Sequence, residues 1–154
     1  MQAHELATPY PTVTLETPAD EAARVLTEHR RPGLIVVDRR GQPLAVLGAS
    51  QFLKLLVPGY VQDDPALARV LDEKFADQFC ARLAEKSVKD LMPKEPAPLP
   101  VVNPDDTVLE VAAIMAARRS PLVAVVARDD DGPRLLGAIS VAALLEHVLP
   151  PQVS

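Results

Sequence analysis

Apolar and polar positions follow the same order of spacings twice along the chain. Glu21–Val37 begins with apolar residues at helical spacing, continues through a basic cluster and a proline, and ends in a β-branched run. Glu110–Val126 repeats this order without a gap. Because proline ends a helix and β-branched runs favour strands, each stretch predicts an amphipathic helix followed by a buried strand.

The similarity continues beyond these strands. Asp38–Pro43 and Arg128–Pro133 are polar stretches that contain glycine and proline, which indicate a tight turn. Leu44–Leu56 and Leu136–Val148 then both change from a strand pattern to a helix pattern. Each half is therefore predicted to contain helix, strand, turn, strand and helix. Duplicated units of this kind usually bury their apolar faces against each other.

A third amphipathic pattern separates the two copies. Pro65–Leu83 carries large apolar residues at every fourth position, which predicts a helix that either covers the core or meets a partner chain. Cys80 lies within this pattern and is expected to be a buried, unreactive thiol. The predicted boundaries are a first repeat at residues 1–58, a helical insertion at 59–86, a second repeat at 87–150 and a tail at 151–154.

The composition describes a folded chain, because 48% of its 154 residues are hydrophobic. The net charge of -5 and the aromatic content of 3% argue against a surface for nucleic acid, which needs basic side chains and stacking rings. No apolar run reaches the ~18 residues of a membrane span. We therefore expect no membrane insertion and a cytoplasmic location. The single cysteine excludes an internal disulfide.

Reactive side chains form no catalytic or metal-binding pattern that the sequence makes visible. The three histidines are far apart, and none has an obvious metal-ligand neighbour. Asp129–Asp131 lacks the spaced oxygen ligands of a calcium loop and is expected to be a solvated turn. Neither a nucleophile–base pair nor a phosphate-binding glycine loop is recognisable. We expect no catalytic residue, no metal site and no enzymatic activity.

Three stretches resemble a known family: "SVKDLM" at 87–92, "NPDDTVLEVAAIMAARRSPLVAVV" at 103–126 and "LLGAISVAALL" at 135–145. Together they are similar to a CBS domain, the module named after cystathionine β-synthase, which usually occurs as a tandem pair. The first half matches the family more loosely than the second. The resemblance implies an α/β (α+β) fold of two β-α-β-β-α CBS repeats packed sheet to sheet with pseudo-twofold symmetry, plus a long helical insertion between them.

The resemblance also implies a function. Tandem CBS modules commonly bind adenosine-containing ligands between their repeats, so it implies a non-enzymatic sensor that passes a signal to an unknown regulated partner. The candidate ligands are AMP, ADP, ATP and S-adenosylmethionine. The alternative is a degenerate pair that acts as a dimerisation or protein-interaction scaffold without nucleotide. The family also commonly forms dimers, so a homodimer is expected.

The family's strand-to-helix junction typically reads Gly-apolar-apolar-Thr/Ser-x-x-Asp, with the hydroxyl on phosphate and the carboxylate on ribose. Gly137 and Ser140 fit this pattern, but Ala143 stands at the Asp position. In the first half Gly48 replaces the hydroxyl and Gln51 replaces the Asp. An unpaired ribose hydroxyl weakens binding by about tenfold or more. Ser140 is either a plain helix cap or a cap that also contacts a ligand.

The ligand-binding residues that the resemblance implies come from both halves. Arg119 has a plainer interpretation as a cation that stabilises a helix end, and Lys94 as a solvated lysine. Base contacts are expected from the backbone near two prolines, and apolar walls from a valine and a leucine. The full set is Ser140, Gly137, Pro121, Leu122, Val123, Val101, Gln51, Gly48, Pro32, Gly33, Leu34, Arg119 and Lys94, in which Val101 and Leu122 are the walls.

Overall fold

The structure is a computed structural model that describes residues 1–31, 33–56, 74–96 and 98–152. None of the helices in these ranges is long and apolar enough to cross a membrane. The described elements are, in chain order, α1 (Ala3–Leu6), β1 (Thr12–Val13), α2 (Ala19–His29), β2 (Gly33–Val37), β3 (Pro43–Gly48), α3 (Ala49–Leu56), α4 (Lys74–Glu85), α5 (Val88–Leu91), β4 (Val101–Val102), α6 (Val108–Arg118), β5 (Leu122–Asp129), β6 (Gly132–Ser140) and α7 (Val141–Val148).

The described strands form two sheets of three, and each sheet is built from one copy of the sequence repeat. Their orders are β1-β2-β3 and β4-β5-β6. In both sheets the short first strand pairs in parallel with the second, with Val13 beside Val36 and Val102 beside Val125. A helix connects each parallel pair, as such a crossover requires. Each copy therefore has the order β-α-β-β-α, and the predicted fold class is confirmed.

Each sheet buries apolar side chains against its own helices. In the second copy, Val123, Val125 and Ile139 pack with Val111 and Met115 of α6. The two α6 residues are four positions apart, which is the helical spacing that the sequence shows. Burying a valine- or leucine-sized side chain stabilises the fold by about 1.5–3 kcal/mol. The first copy has an equivalent cluster of its own.

The compact units of the fold do not follow the halves of the sequence. The first, which we call the β6 unit, joins Met1–Tyr10 and Arg39–Leu44 to the chain from Pro98 onward. The second, which we call the β2 unit, joins Pro11–Asp38 to Ala45–Ala97. The opening helix of the first copy thus belongs to the unit that contains the second sheet. The domain boundaries predicted from the repeat describe the order of the copies and stay a prediction.

α1, which the hydrophobic pattern does not predict, docks on the loop before α6. The backbone N–H groups of Ala3 and His4 donate to the carbonyls of Asp106 and Pro104 at 2.8 and 3.0 Å. Ala3 is fully buried in the core of the β6 unit. Because the first N–H groups of a helix have no partner within the helix, the loop satisfies donors that α1 leaves open.

α5 docks on the loop before α2 in the same way. The N–H groups of Val88 and Lys89 donate to the carbonyls of Thr17 and Leu15 at 2.9 and 3.0 Å. Val88 is fully buried in the core of the β2 unit. The β6 unit, which holds the sheet of the second copy, therefore contains the one-turn helix that opens the first copy. The β2 unit, which holds the sheet of the first copy, contains the one-turn helix that opens the second.

Both one-turn helices begin with the same acidic contact. The backbone N–H of Gln2 donates to Oε1 of Glu5 at 3.1 Å, and that of Ser87 donates to Oδ2 of Asp90 at 2.9 Å. The Ser87 N–H lowers the pKa of the Asp90 carboxyl, because it stabilises the ionised form. The matching stretches "QAHE" and "SVKD" show this contact in the sequence and identify α1 as the counterpart of α5.

α4 packs on the core of the β2 unit through one face. Leu83 is buried in this core and Phe79 packs against it, as the core-covering interpretation predicts, and the role of the insertion as a whole stays a prediction. The earlier part of the predicted helix, residues 65–73, lies outside the described residues. The prediction of a buried Cys80 is wrong, because its thiol is exposed. Phe79 and Leu83 share a face, and Cys80 follows Phe79 by one position, about 100° around the helix.

α2 and α6 both end on an arginine in the left-handed conformation. Arg30, after α2, has φ 50°, and Arg119, after α6, has φ 51°. At the end of α6 the N–H of Ser120 donates to the carbonyl of Met115 at 3.1 Å, and the N–H of Arg119 donates to that of Ala116 at 3.3 Å. These bonds form a Schellman motif, in which the left-handed residue is usually glycine because a Cβ there is strained.

Gly137 allows two backbones to approach closely. The N–H of Thr8 donates to the carbonyl of Ala138 at 3.1 Å, and the N–H of Ala138 donates to the carbonyl of Thr8 at 2.9 Å. A Cβ on Gly137 would lie 2.5 Å from the Thr8 carbonyl oxygen. The bridge between Thr8 and β6 therefore leaves no space for a side chain at this position.

Replacing Arg119 with glycine is expected to raise the free energy of unfolding by about 1 kcal/mol, since it removes the strain of a left-handed L-residue. Arg118→Gly is the matched control. Arg118 is the last residue of α6, and glycine there is expected to lower the free energy of unfolding by about 0.5–1 kcal/mol. Urea unfolding measures both variants. Equal losses of stability would contradict strain at Arg119.

Gly137→Ala is expected to lower the free energy of unfolding by about 1–3 kcal/mol, because the added methyl group must push Thr8 away. Gly48→Ala is the control, since a Cβ there would meet its nearest atom at 3.7 Å. Its effect is expected to stay within about 0.5 kcal/mol. Urea denaturation compares the two. If Gly137→Ala were as stable as the control, the segment around Thr8 would not be held against β6.

Candidate functional site

Ser140 stands where β6 ends and α7 begins, and it caps the helix. Its Oγ accepts a hydrogen bond from the N–H of Ala143 at 3.1 Å. Its backbone is extended, with φ -91° and ψ 158°, as a capping residue requires. The cap uses the oxygen as an acceptor, so the half-buried hydroxyl keeps its own O–H as a donor for a ligand. The capping role of Ser140 is confirmed, and a ligand contact stays a prediction.

The first turn of α7 is partly satisfied by neighbouring backbone. The N–H of Val141 donates to the carbonyl of Pro121 at 3.0 Å. With the bond from Ala143 to Ser140, two first-turn N–H groups already have partners. The attraction of this helix end for an anion therefore rests on the Ser140 hydroxyl, the N–H of Ala142 between these two groups and the partial positive charge of the helix.

β5 brings three of the predicted ligand residues to this junction. Leu122 pairs with Ser140, Val123 is the next residue along, and Pro121 directly precedes the strand. Leu122 is 4% exposed and Val123 is 0% exposed, so both side chains belong to the core. Pro121 is exposed. At this end of β5, a ligand would meet Pro121 and the strand backbone rather than the two apolar side chains.

Gly137 lies further back on β6 and serves the N-terminal segment. It pairs with Val125 and is buried. The space that a side chain would occupy is taken by the backbone of Thr8. The glycine that fits the family pattern thus has a packing reason within the β6 unit.

A groove of about 410 Å³ lies between β4 and α6 in the β6 unit. Val101, which is 44% exposed, forms one wall, whereas Leu122 is buried within its sheet. The cation that lines the groove is Arg118, while the predicted Arg119 follows the helix in its left-handed conformation. Ile114 also lines the groove and lies four positions before Arg118. Because residues four positions apart lie on the same face of a helix, the sequence places Arg118 on the same side of α6 as Ile114.

The equivalent junction in the β2 unit is built from glycine and glutamine. Gly48 ends β3, and Gln51 lies half-buried on the first turn of α3. Gly33 and Leu34 begin β2 and are buried, and Pro32 lies outside the described residues. This junction offers the Gln51 amide in place of a hydroxyl cap.

The remaining predicted cation lies in the β2 unit. Lys94 is exposed on the segment after α5 and belongs to the same unit as Gln51. Arg119 and Ser140 belong to the β6 unit. Each unit thus carries part of the predicted ligand set. Within the described ranges, no three residues among His, Cys, Asp and Glu come close enough together to hold a metal ion.

Comparison with protein families gives one match. The sequence model of the CBS domain matches residues 3–58 and 88–150. The two matched stretches begin at α1 and α5, so the family repeat includes the one-turn helix that opens each copy. A comparison with curated proteins finds no match to this chain.

Solved structures give a consistent result. The chain is similar to a CBS domain-containing protein of unknown function from Kribbella flavida, with 53% identity over 97% of this chain and 99% of that chain and a TM-score of 0.87. CBSX2, a CBS-pair protein from Arabidopsis thaliana, is solved in complex with AMP; that structure is 21% identical over 95% of this chain and 94% of its own, with a TM-score of 0.62.

A third structure is the CBS domain of a bacterial CNNM/CorC family Mg²⁺ transporter in complex with ATP. It is 14% identical over 96% of this chain and 87% of its own, with a TM-score of 0.63. At such low identity, this structure and that of CBSX2 show a shared fold alone. The family match over both repeats and the identity of 53% to a CBS domain-containing protein establish that this chain belongs to the CBS domain family, as a tandem pair of CBS repeats.

Proposed function

We propose that the chain is a non-catalytic regulatory module that binds an adenosine-type nucleotide and passes the bound state to a partner protein. The observation that carries this proposal is the capped start of α7, where the half-buried Ser140 pairs with Leu122 next to the exposed Pro121. Two proteins of similar fold, CBSX2 and the CNNM/CorC transporter domain, are solved with AMP and with ATP. Both ligands combine adenosine with phosphate.

The phosphate is the part of the ligand that the junction fits best. The hydroxyl of Ser140 donates to a phosphate oxygen, and the start of α7 adds its partial positive charge. Arg119 and Lys94 are the candidate cations. Because their interaction with phosphate is screened by salt, nucleotide affinity falls as ionic strength rises.

The ribose is the part of the ligand for which the chain offers the fewest hydrogen-bond acceptors. Ala143 places a methyl group where the family commonly has a carboxylate, and Gln51 offers only an amide oxygen. A ribose hydroxyl without an acceptor weakens binding by about tenfold or more. The proposed ligand therefore binds chiefly through its phosphate and its base, with base contacts from the backbone at Pro121–Val123 and an apolar wall from Val101.

A sensor also needs two states that the ligand distinguishes. Binding shifts the packing of the module only if the ligand has a higher affinity for one arrangement than for the other. A partner protein then reads the shift. We place this module in the cytoplasm, where adenosine nucleotides are available.

The scaffold is the second candidate function, and the surface of α7 favours it. Val141, Leu145 and Val148 of α7 are 37%, 47% and 57% exposed. Their spacing places them on one side of the helix, so α7 presents an apolar stripe. A second copy of the chain is the proposed occupant, which gives a homodimer with or without nucleotide.

Phosphate-bearing ligands are expected to raise the Tm of the chain, because a ligand that binds only the folded state stabilises it. Thermal-shift measurements compare adenosine, AMP, ADP, ATP and S-adenosylmethionine at saturating concentration, and calorimetric titration then gives Kd. We expect a larger rise for AMP, ADP or ATP than for adenosine. If none of the five ligands changes the Tm, the sensor is excluded and the scaffold is favoured.

Ser140→Asp separates capping from ligand binding. Aspartate caps a helix as well as serine does, so the Tm is retained, but its charge repels phosphate and AMP affinity falls by about tenfold or more. Thr107→Ala is the matched control, because Thr107 caps α6 by accepting the N–H of Glu110 at 3.2 Å. It is expected to lose about 1 kcal/mol of stability with no change in AMP affinity. Unchanged AMP binding by Ser140→Asp would remove Ser140 from the site.

The chain is expected to sediment as a dimer, and Leu145→Glu is expected to shift it toward the monomer by placing a charge in the apolar stripe. Leu109→Glu is the control, since Leu109 is 79% exposed on α6. Analytical ultracentrifugation at several concentrations measures both. A monomeric wild-type chain would contradict the homodimer, and an equal effect of the two substitutions would exclude α7 as its interface.

A further inference from the structure

We propose that Met1–Tyr10, here called the latch, controls the capped junction of the second copy. When the latch is seated on β6, Ser140 is held in its capping position, and when it is released, the cap loosens. This inference deepens the proposed function, on which its ligand consequence rests. The coupling between the latch and the cap does not itself depend on any ligand.

The backbone of the latch forms a bridge to β6 at Thr8. Ala138 donates to the carbonyl of Thr8 at 2.9 Å and accepts from its N–H at 3.1 Å. In an antiparallel strand both backbone groups of a residue point to the same side, so both groups of Ala138 point away from β5. Consistently, the N–H of Ala124, which lies opposite Ala138 on β5, donates to the carbonyl of Pro100 directly before β4. It therefore points away from β6. Thr8 therefore supplies the strand partner for both groups of Ala138.

The other end of the latch is fixed more firmly than this bridge. Ala3 is fully buried in the core, and its N–H donates to the carbonyl of Asp106 at 2.8 Å. Thr8 is exposed and makes the bridge to β6 through its backbone. Because a residue buried in the core opens less readily than one at the surface, release begins at Thr8 while α1 stays in place.

The bridge lies close to the capped junction along β6. Ala138 precedes Ser140 by two residues, which is about 7 Å along a strand. Ile139 between them is fully buried, so the strand moves as one piece over this distance. A displacement of β6 at Ala138 therefore changes where the strand ends and weakens the bond from Ala143 to Ser140.

Within the described residues, the β2 unit has neither this bridge nor the hydroxyl. Pro93 stands two residues after α5, as Thr8 stands two residues after α1, and proline has no N–H to donate. Ala45 stands where the second copy has Gly137, and Gly48 stands at the hydroxyl position. Glycine, N–H donor and capping hydroxyl occur together in the β6 unit, and all three are replaced in the β2 unit. This joint occurrence links the latch to the site.

Thr8→Pro in the full chain tests the coupling, because it removes the N–H that binds Ala138. Ala7 already has φ -64° and ψ 132°, a conformation that a residue before proline prefers, so Ala7 accepts a proline at the next position. Thr8→Val is the matched control, since it removes the hydroxyl but keeps both backbone bonds. Gly137→Ala is the second variant, because its methyl group displaces Thr8 without changing the latch sequence.

Amide hydrogen exchange measures the bridge at Ala138 and the cap at Ala143 separately. Thr8→Pro is expected to speed exchange about tenfold at Ala138 and about threefold at Ala143, with the core amide of Val125 unchanged. Gly137→Ala is expected to speed exchange at Ala138 and Ala143 by more than at Val125, which reports the lower free energy of unfolding, and Thr8→Val is expected to match the wild type. In calorimetric titration, AMP affinity of Thr8→Pro is expected to fall about threefold.

Faster exchange at Ala138 with unchanged exchange at Ala143 would overturn the coupling. Faster exchange at Ala138, Ala143 and Val125 alike would overturn it too, because the change would then be global unfolding. If the wild-type chain binds no AMP but the two amides respond together, the coupling stands and the proposed nucleotide function fails. If AMP binds but Thr8→Pro leaves both its affinity and Ala143 exchange unchanged, the proposed function stands and the latch fails.

Discussion

Backbone hydrogen bonds between a one-turn helix and a distant loop are the constraint on which both compact units depend. α1 donates from Ala3 to Asp106, and α5 donates from Val88 to Thr17. The first N–H groups of a helix need partners from outside it, and a buried donor without one costs about 1–3 kcal/mol. Because the loops before α6 and α2 supply these partners, each three-stranded sheet is completed by residues that its own copy does not contain.

The duplicated fold could be predicted because long periodic segments carry it. The helix and strand patterns of α6 and β5 span enough positions to show their periods, and the turn residues mark where they end. α1 could not be found in this way, since four residues are too few to show a helical period. Cys80 was misplaced because its apolar neighbours obscure which side of α4 faces the core. Only the packed neighbours, Phe79 and Leu83, define that side.

The candidate site was predictable to the extent that backbone position decides it. A hydroxyl between a strand pattern and a helix pattern predicts a cap, and Ser140 forms one. Side-chain direction is a different matter, because it depends on how strands and helices rotate against each other. Leu122 is buried and Arg118 lines the groove beside Val101, and neither placement can be seen in the sequence; the ligand contacts of Leu122 and Arg119 stay predictions.

The docking of Met1–Tyr10 on a sheet made near the other end of the chain has a consequence for biosynthesis. These residues leave the ribosome well before Asp106 and Ala138 exist, so the unit that contains them closes only late in translation. Contacts between segments so distant in sequence form slowly, and until then the nascent chain exposes a sheet edge and apolar surface. The β2 unit ends at Ala97, so all of its residues are synthesised before the β6 unit is complete.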